Sequence, residues 1–103
     1  MVLYRAYGGG SARVGGWLTP RFPLNRVAVR NGLSLPPQNA AEEWVQVKLP
    51  RGTVVRVGRA GPDFGEPGGW EQVEVISPVE ADWFYGGGIL APGGAGCGRV
   101  RCP

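Results

Sequence analysis

Trp44-Val45-Gln46-Val47-Lys48-Leu49-Pro50-Arg51-Gly52-Thr53-Val54-Val55-Arg56-Val57-Gly58 is the stretch that settles the class of fold. From Trp44 to Leu49 the side chains alternate. Val45, Val47 and Leu49 point one way, Trp44 and Gln46 the other, which is the two-residue period of a half-buried strand. Pro50-Arg51-Gly52 is turn chemistry, and the β-branched run 53–58 is a second short strand. Outward from this centre the pattern repeats in short pieces. Residues 61–69, rich in glycine and proline, bound a strand at Gln72-Val73-Glu74-Val75-Ile76, and Val2-Leu3-Tyr4-Arg5-Ala6-Tyr7 is strand-forming up to Gly8-Gly9-Gly10. A brief strand is expected at Gly15-Gly16-Trp17-Leu18-Thr19, stopped by Pro20, and a last aromatic piece at Trp83-Phe84-Tyr85.

Residues 21–35 hold the one helical stretch, with Val27, Ala28 and Leu33 giving apolar spacing. Asn31-Gly32 is expected to end it, and Leu35-Pro36-Pro37 forces an extended connection. The prediction is therefore a compact α+β domain, mainly β, with at most one or two short helices. Nineteen glycines and ten prolines in 103 residues are far above average, but the glycines cluster at 8–10, 86–88 and 93–98, which reads as loops between elements. The division expected is a catalytic domain over 1–92 and a Gly/Cys-rich tail over 93–103.

Composition excludes several functions. The chain has no histidine, which removes Ser-His hydrolases, Cys-His proteases and His-based ribonucleases together. It also leaves any zinc site short of ligands, so no metal is expected. A net charge of +3 with scattered arginines does not form a nucleic-acid footprint. No apolar run approaches the length of a membrane span, and the first residues lack the regions of a signal peptide. An exported form would travel as the tail of a larger polypeptide. Cys97 and Cys102 are either free or close a small loop in an oxidising compartment.

Five blocks in consistent order carry a more specific message: Leu3-Tyr4-Arg5, Gly16-Trp17-Leu18-Thr19-Pro20, Leu35-Pro36-Pro37-Gln38-Asn39, Phe64-Gly65-Glu66-Pro67-Gly68-Gly69 and Gln72-Val73-Glu74. Together they resemble the tuberculosis necrotizing toxin family over residues 3–90. That resemblance implies a fold related to ADP-ribosyltransferases and a secreted bacterial toxin domain that hydrolyses NAD, or NADP, to nicotinamide and ADP-ribose. NAD is then a substrate and no cofactor is required. It further implies delivery on a larger toxin, action in the target-cell cytoplasm, and a cognate immunity protein as partner to a monomeric domain. The family's arginine falls on Arg5, its aromatic before Leu-x-Pro on Trp17, and its glutamine after the glycine turn on Gln72. Two departures are visible: Trp17 stands where the family has tyrosine, and a histidine used by some members has no counterpart.

The same residues have physical readings of their own. Arg5 suits bidentate phosphate binding, or else it is a strand-end arginine in a solvent salt bridge. Trp17 offers a flat face for nicotinamide or packs in the core. Gln72 and Glu74 share a strand face and can meet one sugar together, the amide orienting a water or ribose hydroxyl and the carboxylate stabilising a cationic ribose; otherwise they form a polar face toward solvent. Phe64 walls a pocket or packs in an ordinary turn, and Gly69, in the turn before Gln72, is counted with it among the substrate-binding residues. Asn39 binds the nucleotide or acts as a cap-like turn residue. The alternatives are an ADP-ribosyltransferase, to which Gln-x-Glu also points, and a noncatalytic β-barrel binding module with Trp17, Trp44, Trp70 and Trp83 as its platform.

Overall fold

In a computed structural model, residues 2–93 are described; the cysteines of the tail lie outside them. Six strands and one α-helix are present: β1 (Val2–Gly9), β2 (Trp17–Leu18), α1 (Arg26–Leu33), β3 (Asn39–Lys48), β4 (Val55–Arg59), β5 (Glu71–Val75) and β6 (Phe84–Ile89), the last entered through a 3₁₀ turn at Ala81–Trp83. They form two antiparallel three-stranded sheets, ordered β1-β3-β6 and β2-β5-β4. The alternation at 44–49 dictates which faces meet. Val45 and Val47, with Leu3 opposite Val47 and Phe84 from β6, turn inward against Leu18, Val73 and Val75 of the second sheet. A two-sheet core follows, and the mainly β α+β expectation is met.

The turn at Pro50-Arg51-Gly52 carries the chain from one sheet to the other, since β3 and β4 do not pair. The sheets also touch through main chain, where Tyr4 and Thr19 exchange N–H···O bonds of 2.8 and 2.9 Å. Helix α1 packs on the outer face of the first sheet, burying Val29 with Ala6, Ala41 and Leu90 while Leu33, Leu35, Trp44 and Trp70 close around them.

The helix differs from its sequence reading in three ways. It starts only at Arg26, because Leu24 is left-handed (φ 60°) and Asn25 caps the helix, its Oδ1 accepting from Ala28 N–H at 2.8 Å. Val27 is exposed, and Val29 occupies the inward position instead. Asn31-Gly32 does not end it: the helix continues to Leu33, and Ser34 forms the left-handed C-cap. The reason lies far along the chain. The carbonyls of Asn31 and Gly32 accept the N–H groups of Gly68 (2.8 Å) and Trp70 (2.9 Å), so the last turn is satisfied by a remote loop. Glycine is needed at 32 because a Cβ there would stand 2.3 Å from the Trp70 indole.

Two glycine clusters read as loops are strand instead. Gly8 and Gly9 end β1 across a register shift, and Gly86-Gly87-Gly88 lie within β6. At Gly87 (φ 103°) a side chain would run into the carbonyl of Trp44, where the β3–β6 register itself shifts. The glycines here admit close backbone approach at a bulge rather than a turn.

Candidate active site

The edge where the two sheets and α1 part company encloses a cavity of about 400 Å³. Arg5 comes from β1, Trp17 and Leu18 from β2, Gln72 from β5, Asn39 from the start of β3, and Asp63 and Phe64 from the loop between β4 and β5. Five residues singled out from sequence are thus in one lining, though spread over 68 positions of chain: Arg5, Trp17, Asn39, Phe64 and Gln72. Glu74 and Gly69 are not part of that lining.

Arg5 is the electrostatic centre. Its Nε donates to the carbonyl of Ala12 (3.0 Å), Nη1 to the carbonyl of Trp17 (3.2 Å) and Nη2 to Ser11 Oγ (3.2 Å). All three acceptors are neutral, and the salt-bridge reading of Arg5 does not hold: the ion pair found among the described residues joins Arg56 and Glu74. Burial without a counter-charge lowers the guanidinium's pKa from its ordinary value, which means the cation is held at an electrostatic cost. A guanidinium has five N–H donors; three are engaged, which leaves two for a ligand. The glycines that end β1 serve this arrangement. Gly8 and Ser11 exchange backbone bonds, so the chain doubles back and lays Ser11 and Ala12 against the arginine it has just left.

Trp17 is 54% exposed and Phe64 is 54% exposed, so neither ring is core and both line the cavity. Phe64 sits in the left-handed region (φ 50°), its N–H on Asp63 Oδ1 at 2.9 Å. That conformation costs a phenylalanine about 1 kcal/mol and is sustained by the surrounding loop. The loop is tied down by Asp63 and Glu66 exchanging backbone bonds (3.1 and 2.7 Å), by Ser34 Oγ donating to the Glu66 carbonyl (3.4 Å), and by Gly69 N–H on the Ala60 carbonyl (2.8 Å). Gly69 therefore shapes the loop from behind.

Asn39 takes the turn-residue alternative. Its Nδ2 donates to the Ala6 carbonyl (3.1 Å) and its Oδ1 accepts the N–H of Ala41 (2.9 Å), which joins β1 to β3 at the cavity wall and leaves its second amide N–H over. Gln72 is half-buried, and its side chain bonds no protein partner among the described residues, so its amide is available to the cavity. Glu74 does share a face of β5 with Gln72, as the spacing required, but its carboxylate meets Arg56 across the strand pair at 3.0 Å. Sequence reasoning gave no site role to Ala6, Ser11, Leu33, Ser34, Ala60 and Gly61, which also line the cavity. The triple glycine before Ser11 and the Pro-Pro after Leu35 mark these segments as loops, but no local signal aims them at a common point.

Comparison with known structures follows the fold. The solved structure of Tne2 in complex with Tni2 matches this chain with a TM-score of 0.74, covering 89% of this chain and 86% of that one, at 17% sequence identity. No family model and no curated protein matches the sequence. The likeness establishes a shared architecture.

Proposed function

We propose that the domain is an NAD glycohydrolase of toxin type. The observation that carries the reading is a guanidinium bonded only to neutral acceptors, held in the same cavity as an uncommitted glutamine amide and two half-exposed aromatic side chains. Cleavage breaks the bond between C1 of the ribose and the nicotinamide nitrogen; the electron pair leaves with nicotinamide, the ribose becomes cationic, and water adds at C1 and releases a proton. The free N–H groups of Arg5 grip the pyrophosphate, Trp17 and Phe64 flank the nicotinamide ring, and Gln72 orients a ribose hydroxyl or the attacking water through its amide oxygen. Gln72 does so without adding charge. The single cationic group in the lining suits the one pyrophosphate common to NAD and NADP.

The toxin reading has two supports: the motif order of the sequence, and a fold neighbour that was captured in complex with a second protein, Tni2. A partner protein that occludes the cavity is the corresponding proposal here, an immunity protein protecting the producing cell. Delivery on a larger secreted toxin and action in the target-cell cytoplasm as a monomer complete it. The test is nicotinamide release from NAD by the purified domain with no acceptor protein present. Turnover that vanishes in Gln72→Ala, with the thermal midpoint unmoved, is the expected result. Near-normal release by that variant refutes the mechanism, and silence from the unmodified domain refutes the activity.

A further inference from the structure

Gly15 lies in the loop between β1 and β2, and its backbone lies outside the positive-φ region, so the chain there does not itself call for glycine. What calls for it is Arg5. A Cβ at position 15 would stand 2.5 Å from Arg5 Cζ, 2.6 Å from Nη2 and 3.0 Å from Nε. The flat guanidinium is thus laid against the bare Cα of Gly15, while Ser11 and Ala12 of the same loop and Trp17 at the start of β2 hold its N–H groups. Gly16, one residue on, is a natural contrast: a Cβ there would meet nothing closer than the Val75 carbonyl at 3.4 Å, an ordinary contact.

We propose that Gly15 is a positioning residue, the floor that sets the depth and tilt of the Arg5 guanidinium in the cavity. The role rests on the glycohydrolase reading only for its effect on turnover; the geometry of Arg5 is a separate observable. Alanine at 15 fits its own backbone and displaces only the far end of a flexible side chain. The lesion therefore falls on the arginine head and spares the fold. A binding group displaced by about 1 Å leaves the substrate misplaced, which lowers kcat/KM by on the order of a hundredfold. Because a phosphate grip acts on bound substrate and transition state alike, the loss falls mainly on KM.

The experiment compares Gly15→Ala, Gly16→Ala, Arg5→Lys and the Gly15→Ala/Arg5→Lys pair in two readouts. In ¹H–¹⁵N spectra the Arg5 Nε–H, hydrogen-bonded to the Ala12 carbonyl, gives an exchange-protected signal. That signal is absent in Arg5→Lys, lost in Gly15→Ala and kept in Gly16→Ala. In nicotinamide release, Gly15→Ala raises KM with kcat less affected, Gly16→Ala behaves as the parent, and Gly15→Ala adds no further loss once Arg5 is lysine. A protected Arg5 signal that survives in Gly15→Ala overturns the proposal, as does an additive loss in the pair. An inactive parent domain with the predicted spectral changes overturns the substrate reading and leaves the positioning role in place.

Discussion

Gly32→Ala sets two physical effects against each other with opposite signs. On helix propensity alone, alanine within a helix is better than glycine by about 1 kcal/mol, and a surface view of α1 predicts stabilisation. The packing predicts the reverse. The new Cβ would lie 2.3 Å from the Trp70 Cδ2 and Cε2 atoms, about 1.2 Å inside the usual carbon–carbon contact. Trp70 is not free to retreat, because its N–H is bound to the Gly32 carbonyl and its own carbonyl accepts from Ala60 N–H (both 2.9 Å), while Arg21 lies over its ring at 4.7 Å. Overpacking of this kind costs about 1–3 kcal/mol. With the upper end of that range set against the propensity gain, the net loss is about 2 kcal/mol. For a domain of this size that lowers the thermal midpoint by about 10 °C. Urea unfolding followed by tryptophan fluorescence and thermal melts followed by circular dichroism measure it. In a Trp70→Ala background the obstacle is gone, and the same substitution turns stabilising. A Gly32→Ala single variant that melts above the parent refutes the packing argument outright.

Other substitutions separate framework from chemistry. Asn39→Ala leaves the buried Ala6 carbonyl and Ala41 N–H without partners, so chemical denaturation finds it less stable by about 2 kcal/mol. Glu74→Ala removes a surface ion pair whose arginine side chain is 75% exposed; its stability changes by less than about 0.5 kcal/mol and nicotinamide release persists, whereas a collapse of turnover returns Glu74 to the reacting centre.

The parts of this fold legible in sequence are those with local causes. The alternation of Val45 and Val47 fixes the inward face of β3, and the two-residue spacing of Gln72 and Glu74 fixes their common face on β5. Which of those two reaches the cavity was not legible. That choice depends on Arg56, eighteen residues upstream on a neighbouring strand, drawing Glu74 to itself. The same holds for Asn31-Gly32, whose local chemistry stops a helix until the N–H groups of Gly68 and Trp70 arrive to extend it. The glycines at 86–88 have the composition of a loop, and only the Trp44 carbonyl beside Gly87 explains their place in a strand. Arg5 was visible as a candidate only through the resemblance of its motif; its neutral cage was not, since Ser11 and Ala12 reach it through a doubled-back chain.

Both ends of α1 are finished by segments made later. The N–H groups of Arg26 and Val27 bond the carbonyls of Ala91 and Pro92, and the carbonyls of Asn31 and Gly32 wait for residues 68 and 70. An eight-residue helix has no stability of its own in water. During synthesis, then, α1 and the cavity wall it supports stay unformed until nearly all of the described chain has left the ribosome. Arg5 is encoded near the start, but the hydrogen bonds that finish α1 come from residues 68, 70, 91 and 92, so the pocket around that arginine closes only when both ends of the described chain are in place.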